Sequence, residues 1–199
     1  MTVAAVVLAA GSSRRMGGAN KLLADWNGRP LVAHAVAAVA ASAAKPVLVV
    51  TGHEAARIEA ALAGLDVRFV HNPDFAQGLS ASLKAGLGAL AAEFVDGALI
   101  CLGDMPKVST ATLNRLIETF EAGGKKAICA PAADSRRGNP VLWPADLFAA
   151  LMAVSGDMGG RELLARHAEQ VQTVAADPNQ ILADVDTPEM LAELRSKQI

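Results

Sequence analysis

The chain has 199 residues, of which 52% are hydrophobic and 19% are charged. This balance is too apolar for intrinsic disorder, and the sequence lacks an apolar run of about twenty residues that could span a bilayer. With 18 basic and 20 acidic residues, the formal net charge of -2 provides no overall positive field to hold a nucleic acid. We therefore expect one globular domain over residues 1–199, with neither nucleic acid nor membrane as a partner.

Short β-branched runs alternate with longer segments rich in alanine and leucine. Runs that are apolar at every position are typical of strands covered by helices on both faces, and repeated βα units favour a parallel sheet. The pattern predicts an α/β fold, a three-layer α/β/α sandwich with a mostly parallel sheet. The predicted strands are 3–8, 47–51, 67–70, 98–102 and 127–130, and the predicted helices between them include 31–44, 80–90 and 109–121.

The regular alternation of strands and helices stops after Pro131, where a polar loop over 132–139 leads into a short strand at 141–143. Helices are predicted near 145–153 and 160–167, and a strand at 171–175. An acidic turn at 184–187 then precedes a helix whose first turn holds Pro188 and Glu189, as helix N-termini favour. We expect this part of the chain to shape a second pocket.

Cys101 and Cys129 both lie in apolar runs and show no metal-ligand spacing, which is typical of buried free thiols. The apolar first ten residues lack the basic leader of a signal peptide and are predicted to form a strand. Both features favour a reducing, cytoplasmic setting.

The first strand runs directly into a loop that contains three glycines, two arginines and Lys21. Glycines let backbone amides approach a polyanion, and Arg15 and Lys21 can neutralise its remaining charge, so the segment from Leu8 to Lys21 is predicted to bind phosphates. Its spacing matches neither the P-loop nor the G-x-G-x-x-G dinucleotide fingerprint. The alternative is a mobile, solvated basic loop.

Two aspartates are expected to lie at the same edge of the sheet. Asp104 comes directly after the predicted strand 98–102, and Asp186 lies just before Pro188. Mg²⁺ commonly takes one or two carboxylates together with phosphate oxygens, so the pair is a candidate metal site. For Asp186, helix capping is an equally good interpretation.

Polar residues also follow the second and third strands. Thr51 ends one strand, while Asn72, Gly78, Ser80 and Ser82 surround the start of the next helix and could present hydroxyls and amides to a nucleotide base. Ser80 could equally be only an N-cap.

Together these motifs resemble the nucleotidyltransferases that mature the molybdenum cofactor, and most closely the molybdenum cofactor cytidylyltransferases. The resemblance runs over nearly the whole chain and implies a Rossmann-like nucleotidyltransferase fold, with nucleotide binding by about residues 1–106 and acceptor binding by about 107–199. The nucleotide-binding residues that it implies are Leu8, Ala9, Ala10, Gly11, Ser13, Arg15, Lys21, Thr51, Asn72, Gly78, Ser80 and Ser82.

The same resemblance implies roles for individual residues. Arg15, Lys21 and Asp104 would be catalytic, and Asp104 and Asp186 would hold Mg²⁺. The Ala form of the L-A-A-G opening, at Ala10, goes with cytidylyl members, which implies CTP as the donor. The implied acceptor-binding residues are Asn139, Pro140, Asp157 and Arg161.

The implied reaction is transfer of CMP from CTP to molybdenum-loaded molybdopterin. Alternatives of the same chemistry are a guanylyltransferase of molybdopterin and a cytidylyltransferase for a sugar or polyol phosphate. A non-enzymatic alternative is a carrier that hands cofactor to a molybdoenzyme or its maturation chaperone. A flavodoxin-like carrier is disfavoured because aromatic residues make up only 4% of the chain.

Overall fold

The computed structural model describes residues 2–13, 19–156, 160–182 and 184–196. Its strands, in chain order, are β1 (Val3–Ala9), β2 (Asp25–Trp26), β3 (Arg29–Pro30), β4 (Val47–Thr51), β5 (Arg68–His71), β6 (Gly97–Leu102), β7 (Ile128–Ala133), β8 (Arg136–Arg137), β9 (Val141–Pro144) and β10 (Val171–Ala175). Its α-helices are α1 (Leu31–Ala40), α2 (Ala55–Ala61), α3 (Leu79–Ala89), α4 (Thr110–Ala122), α5 (Phe148–Ala153), α6 (Arg161–Arg166), α7 (Pro178–Ile181) and α8 (Pro188–Ser196).

The main sheet has the strand order β10-β7-β9-β6-β1-β4-β5, with β8 paired to the end of β7. Its centre is parallel: β1 pairs with β4 on one side and with β6 on the other. β9 enters between β6 and β7 and runs antiparallel to both. The sheet is therefore mixed but mostly parallel, as expected, and the carboxyl ends of β1, β4 and β6 share one edge.

Alternate residues of β1 face two separate cores, which explains why the whole strand is buried. Val3, Ala5 and Val7 belong to the core under α1 and α4, whereas Val6 and Leu8 belong to the core under α3 and α5. Small side chains at these positions let helices lie close to the sheet on each face. The three-layer sandwich predicted from the sequence is confirmed. No helix in the described part of the chain is long and apolar enough to cross a membrane.

Some boundaries differ from the predicted ones for local reasons. α1 ends at Ala40 and not Ala44, because the Ser42 hydroxyl donates to the carbonyl of Val39 and Pro46 follows shortly after. α3 begins at Leu79, with Gly78 in the N-cap position at a φ of 100°. Ser80 therefore lies within the first turn of the helix and is not its N-cap.

The last described segment returns to the carboxyl edge of the sheet. The Val185 amide donates to the Asp104 carbonyl over 3.2 Å, next to the end of β6. Val185 and α8 then pack with Trp26 and Leu31 in a small separate apolar cluster. This packing holds Asp184 and Asp186 beside Asp104, although they are far from it in sequence.

Candidate functional site

A cavity of about 710 Å³, hereafter the larger cavity, opens at the carboxyl edge of the sheet. It is bounded by the end of β1, the loop that follows it, the turn before α3, the end of β6 and the acidic segment before α8. This is the edge at which open α/β sheets bind ligands. Its lining residues are Leu8, Ala10, Gly11, Ser12, Ser13, Lys21, Leu22, Phe75, Ala76, Gln77, Gly78, Leu79, Ser82, Leu102, Asp104, Arg161, Asp184 and Asp186.

Short-range hydrogen bonds fix the return of the loop to Lys21. The Lys21 amide donates to the Ser13 hydroxyl over 3.0 Å, and the Leu22 amide donates to the Asn20 side-chain oxygen over 3.1 Å. Asn20 thereby caps the short 3₁₀ turn Lys21–Leu23. Ser13 has a φ of 52°, which reverses the chain direction at the start of the loop. The Lys21 side chain is thus directed into the cavity from an anchored turn.

Lys21 bridges two carboxylates at the floor of the larger cavity. Its ammonium nitrogen lies 2.5 Å from Asp104 Oδ2 and 2.6 Å from Asp186 Oδ1. The three side chains are only 14% to 17% exposed, so solvent screens these charges less than it would at the surface. The sequence prediction that Lys21, Asp104 and Asp186 meet at one edge is matched by this geometry.

Burial, which is the largest influence, raises the pKa of Asp104, as do the neighbouring Asp184 and Asp186 charges, and Lys21 only partly opposes them. Burial alone would lower the pKa of Lys21, but Asp104 and Asp186 outweigh it and raise that pKa above its ordinary value. The pKa of Asp104 is therefore raised mainly by burial, and the pKa of Lys21 is raised by its two carboxylate partners. The floor of the cavity therefore brings Asp104, Asp184 and Asp186 together beside Lys21.

We tested whether these residues fit a divalent cation. Among the described residues, none forms a hydrogen bond with the buried Asp104 Oδ1, which leaves this carboxylate oxygen for a further cation. Hard oxygen donors with excess negative charge suit Mg²⁺ or Mn²⁺. The described residues contain no group of three or more metal-binding side chains, so the remaining ligands would come from substrate phosphates and water. The pair of Asp104 and Asp186 fits such a substrate-completed site.

The wall opposite the carboxylates is formed by small residues and Phe75. A Cβ added to Gly52 would lie 2.7 Å from the Phe75 Cβ and 2.9 Å from the Ala10 Cβ, so these three residues are in close contact. Ala10 itself is 2% exposed yet lines the cavity. The Ala10 methyl group is therefore packed close to Gly52 at the border of the cavity.

A smaller cavity of about 230 Å³, hereafter the smaller cavity, adjoins the larger one. Leu8, Leu79, Leu102 and Arg161 line both. The other lining residues come from α3, β6, β9, α5, α6 and the segment after β8: Leu83, Ile100, Arg137, Gly138, Asn139, Val141, Trp143, Leu151, Gly160 and Leu164.

The structure brings only part of the predicted set together. Leu8, Ala10, Gly11, Ser13, Lys21, Gly78, Ser82, Asp104 and Asp186 line the larger cavity, Asn139 lines the smaller one, and Arg161 lines both. Ala9, Thr51, Asn72, Ser80 and Pro140 line neither cavity. Arg15 and Asp157 lie outside the described residues.

Hydrogen bonds explain the position of two of the residues that do not reach the cavities. Thr51 is fully buried and donates to Glu59 on α2 over 3.0 Å. Asn72 is 3% exposed and donates to Ser82 over 3.1 Å, fixing the start of α3 against the end of β5. Their direct role is support of the cavity wall.

Phe75, Gln77, Asp184, Arg137 and Trp143 also line the cavities and were not selected from the sequence. Asp184 lies in the acidic turn that contains Asp186, and Arg137 lies two residues before Asn139. Each could therefore be found from its closeness in sequence to a predicted site residue. Trp143 carries no comparable signal, because its place depends on the antiparallel insertion of β9 between β6 and β7.

The family described as MobA-like NTP transferase domain matches residues 5–171. The protein named nicotine blue oxidoreductase from Paenarthrobacter nicotinovorans is 32% identical over 198 residues, which is 96% of each chain. A nucleotidyl transferase structure from Methanothermobacter thermautotroptrophicus superposes with a TM-score of 0.83 at 29% identity, over 98% of this chain and 97% of that one. A Mycobacterium tuberculosis protein solved in complex with manganese has a TM-score of 0.81 at 25% identity over 100% of both chains.

Proposed function

The chain belongs to the MobA-like NTP transferase domain family of nucleotidyltransferases, and we propose that it transfers CMP from CTP to the phosphate of molybdenum-loaded molybdopterin. The products are molybdopterin cytosine dinucleotide and pyrophosphate. The observation that carries this proposal is the floor of the larger cavity, where Lys21, Asp104 and Asp186 converge beside a second cavity that can take an acceptor.

The reaction needs no side chain that removes a proton. An oxygen of the ionised acceptor phosphate attacks the α-phosphorus of CTP, a new phosphorus–oxygen bond forms, and the bond to the β-phosphate oxygen breaks. Pyrophosphate leaves with the electron pair. Catalysis therefore rests on alignment and on neutralisation of charge, for which lysine, arginine and backbone amides are suited.

Each residue has a proposed task within this scheme. Lys21, with Arg15 from the loop, stabilises the charge that develops on the departing pyrophosphate. Arg161, which lines both cavities, holds the acceptor phosphate where it faces the α-phosphate. Gly78 and Ser82, at the start of α3, bound the nucleotide on the opposite side of the cavity.

Asp104 and Asp186 are the proposed holders of Mg²⁺. When bound there, the cation supplies charge stabilisation at the phosphates of the donor. Support comes from the three carboxylates at this floor and from Asp104 Oδ1, with which none of the described residues forms a hydrogen bond. Lys21 lies within 2.6 Å of both carboxylates, so the same group that contacts them is proposed to contact the phosphate oxygens of the donor.

The choice of CTP over GTP rests on the crowded wall at Ala10. Ala10 lines the larger cavity and its methyl group packs near Gly52, and we propose that a glycine at this position would leave more room for a purine. We propose a cytoplasmic setting, which the two buried free cysteines support. A molybdoenzyme or its maturation chaperone is the proposed recipient of the product.

The decisive experiment is pyrophosphate release by the purified protein with molybdenum-loaded molybdopterin, Mg²⁺ and either CTP or GTP at equal concentration. We expect release with CTP. Release only with GTP would retain the chemistry and overturn the assignment of Ala10. Release with neither nucleotide would overturn the proposed reaction, including its transfer step.

A second candidate is an oxidoreductase activity on an aromatic compound, and one observation favours it. The relative named nicotine blue oxidoreductase matches 96% of both chains, and the smaller cavity is apolar enough for an aromatic body. Loss of absorbance from reduced nicotinamide, coupled to bleaching of a quinone-type dye, tests this candidate directly. An absence of dye-dependent oxidation eliminates it.

A further inference from the structure

The hairpin formed by β2 and β3 packs against the helix α8, and this contact is hereafter called the junction. Leu191 and Leu194 of α8 are each 7% exposed and pack with Trp26 of the hairpin. Leu31 and Val185 complete the buried apolar cluster. None of these five side chains lines either cavity, so the junction lies outside both of them.

Two hydrogen bonds tie the last turn of α8 to the hairpin. Nε and Nη2 of Arg195 both donate to the carbonyl oxygen of Asp25, Nε over a distance of 3.1 Å. Pro30 lies opposite Asp25 in the hairpin and has no backbone N–H, so it offers this carbonyl no donor. Because Arg195 lies one helical turn after Leu191, its hydrogen bonds and the apolar contacts belong to the same face of the helix.

Both sides of the junction lead directly to the floor of the larger cavity. The turn that carries Lys21 runs straight into the hairpin, and the Ala24 amide donates to the Lys21 carbonyl over 3.1 Å. On the other side, Asp186 lies two residues before the first residue of α8. Arg195 therefore joins, at a second point, the two segments whose side chains meet as Lys21 and Asp186.

We propose that Arg195 is a positioning residue, which fastens α8 to the hairpin and thereby holds Asp186 against Lys21 on the cavity floor. Arg195 lines neither cavity, so it acts only through the two segments that it joins. The Val185 amide, which donates to the Asp104 carbonyl, holds the same segment on the amino side of Asp186. For its effect on turnover this role rests on the proposed function, whereas its effect on the floor requires no substrate.

Hydrogen exchange of the full chain, followed by NMR, tests the effect on the floor without any ligand. The Val185 amide donates to Asp104, and the Lys21 amide donates to the Ser13 hydroxyl, so their exchange reports opening of the two segments. We expect Arg195→Met to speed the exchange of both amides by at least about tenfold and to leave β1 unchanged. Faster exchange confined to α8 would overturn the proposal.

Two further variants separate the hydrogen bonds from the general loss of an arginine. Arg195→Lys retains a donor for the Asp25 carbonyl, so its exchange is expected to stay within about threefold of the wild type. Arg166→Met is the matched control, because Arg166 is also an exposed arginine in the last turn of a helix and lines neither cavity. Exchange in Arg195→Lys as fast as in Arg195→Met, or equal acceleration in Arg166→Met, would contradict the role of the hydrogen bonds.

Turnover distinguishes this proposal from the proposed reaction. Arg195→Met is expected to lower kcat about tenfold with little change in the acceptor KM, because the floor loses its alignment and the smaller cavity is untouched. Faster exchange with wild-type kcat would overturn the positioning role. Faster exchange of the Val185 and Lys21 amides, in a protein that releases no pyrophosphate, would sustain the effect of Arg195 on the floor and overturn the transfer reaction.

Discussion

The larger and smaller cavities share Leu8, Leu79, Leu102 and Arg161, yet they place opposite demands on a ligand. The floor of the larger cavity holds three carboxylates and Lys21, so charge is the main determinant of which ligand binds there. The smaller cavity has apolar walls and no carboxylate among its described lining residues, so its contents are decided by burial. Adjacent sites with such different physics suit the proposed alignment of a highly charged donor with a less polar acceptor.

This difference between the cavities also separates residues expected to affect turnover from residues expected to affect binding of the acceptor. Charge effects in the larger cavity act on developing negative charge and should appear in turnover. Packing effects in the smaller cavity act on the bound ground state and should appear mainly in the acceptor KM. The following changes test that division, beginning with the one expected to have the largest effect.

Asp104→Asn should reduce turnover by about 100-fold to 1,000-fold, because the floor of the larger cavity would lose a charged oxygen where phosphate charge must be balanced. Pyrophosphate release under saturating substrates measures the loss, and thermal unfolding verifies that the fold persists. Asp146→Asn is the control, since Asp146 is exposed and lines neither cavity. Wild-type turnover in Asp104→Asn would remove Asp104 from the proposed mechanism.

Lys21→Met should lower the free energy of unfolding by about 3 kcal/mol, because Asp104 and Asp186 would lose the ammonium that bridges them. Addition of Mg²⁺ or Mn²⁺ should then raise the melting temperature of this variant more than that of the wild type. The reason is that a cation occupying the carboxylate pair stabilises the folded state by mass action. An equal metal response in both proteins would contradict a metal site at this pair.

Ala10→Gly should shift the ratio of CTP to GTP use toward GTP by some tens-fold, which is the range expected from one methyl group in a crowded wall. The measured quantity is kcat/KM for each nucleotide, with the acceptor held constant. Because Gly52 and Phe75 remain in place, the fold should persist. An unchanged ratio would show that another part of the larger cavity selects the base.

Gly160→Ala should lower the free energy of unfolding by about 1–2 kcal/mol, since the new methyl group would meet Trp143 at 2.8 Å. The acceptor KM should rise while kcat at saturation changes little, because the smaller cavity narrows and the floor of the larger one is untouched. Gly88→Ala provides the control: nothing lies within 4 Å of its added Cβ on α3. A fall in kcat without a rise in KM would contradict the division between the cavities.

Much of the larger cavity could be predicted from sequence because parallel strands end at one edge. Asp104 directly follows β6 and Lys21 returns from the loop after β1, so their meeting follows from strand order alone. The same reasoning predicted that Thr51, which also ends a strand at this edge, would contact the nucleotide. In the structure its hydroxyl donates to Glu59. Local sequence predicts the edge of the sheet at which a polar side chain lies. It does not predict whether that side chain forms its hydrogen bonds within the protein or faces the cavity.

The smaller cavity could not be predicted in the same way. Its walls come from seven strands and helices and the segments between them, and Trp143 reaches it only because β9 is inserted antiparallel into a sheet whose neighbours are parallel. Such long-range packing leaves no spacing pattern in the chain. The change in the pattern of predicted strands and helices after Pro131 indicates a second pocket but does not indicate that its walls are apolar.

The hydrogen bond from Val185 to the Asp104 carbonyl has a consequence for the order in which the protein matures. During vectorial synthesis, every strand of the main sheet emerges before Asp186, which joins Lys21 only once α8 settles on Trp26 and Leu31. A nascent chain with a finished sheet still lacks one of the two carboxylates that bridge to Lys21. If Asp186 has its proposed role in the site, competence to bind a nucleotide and its cation is linked to this final docking event.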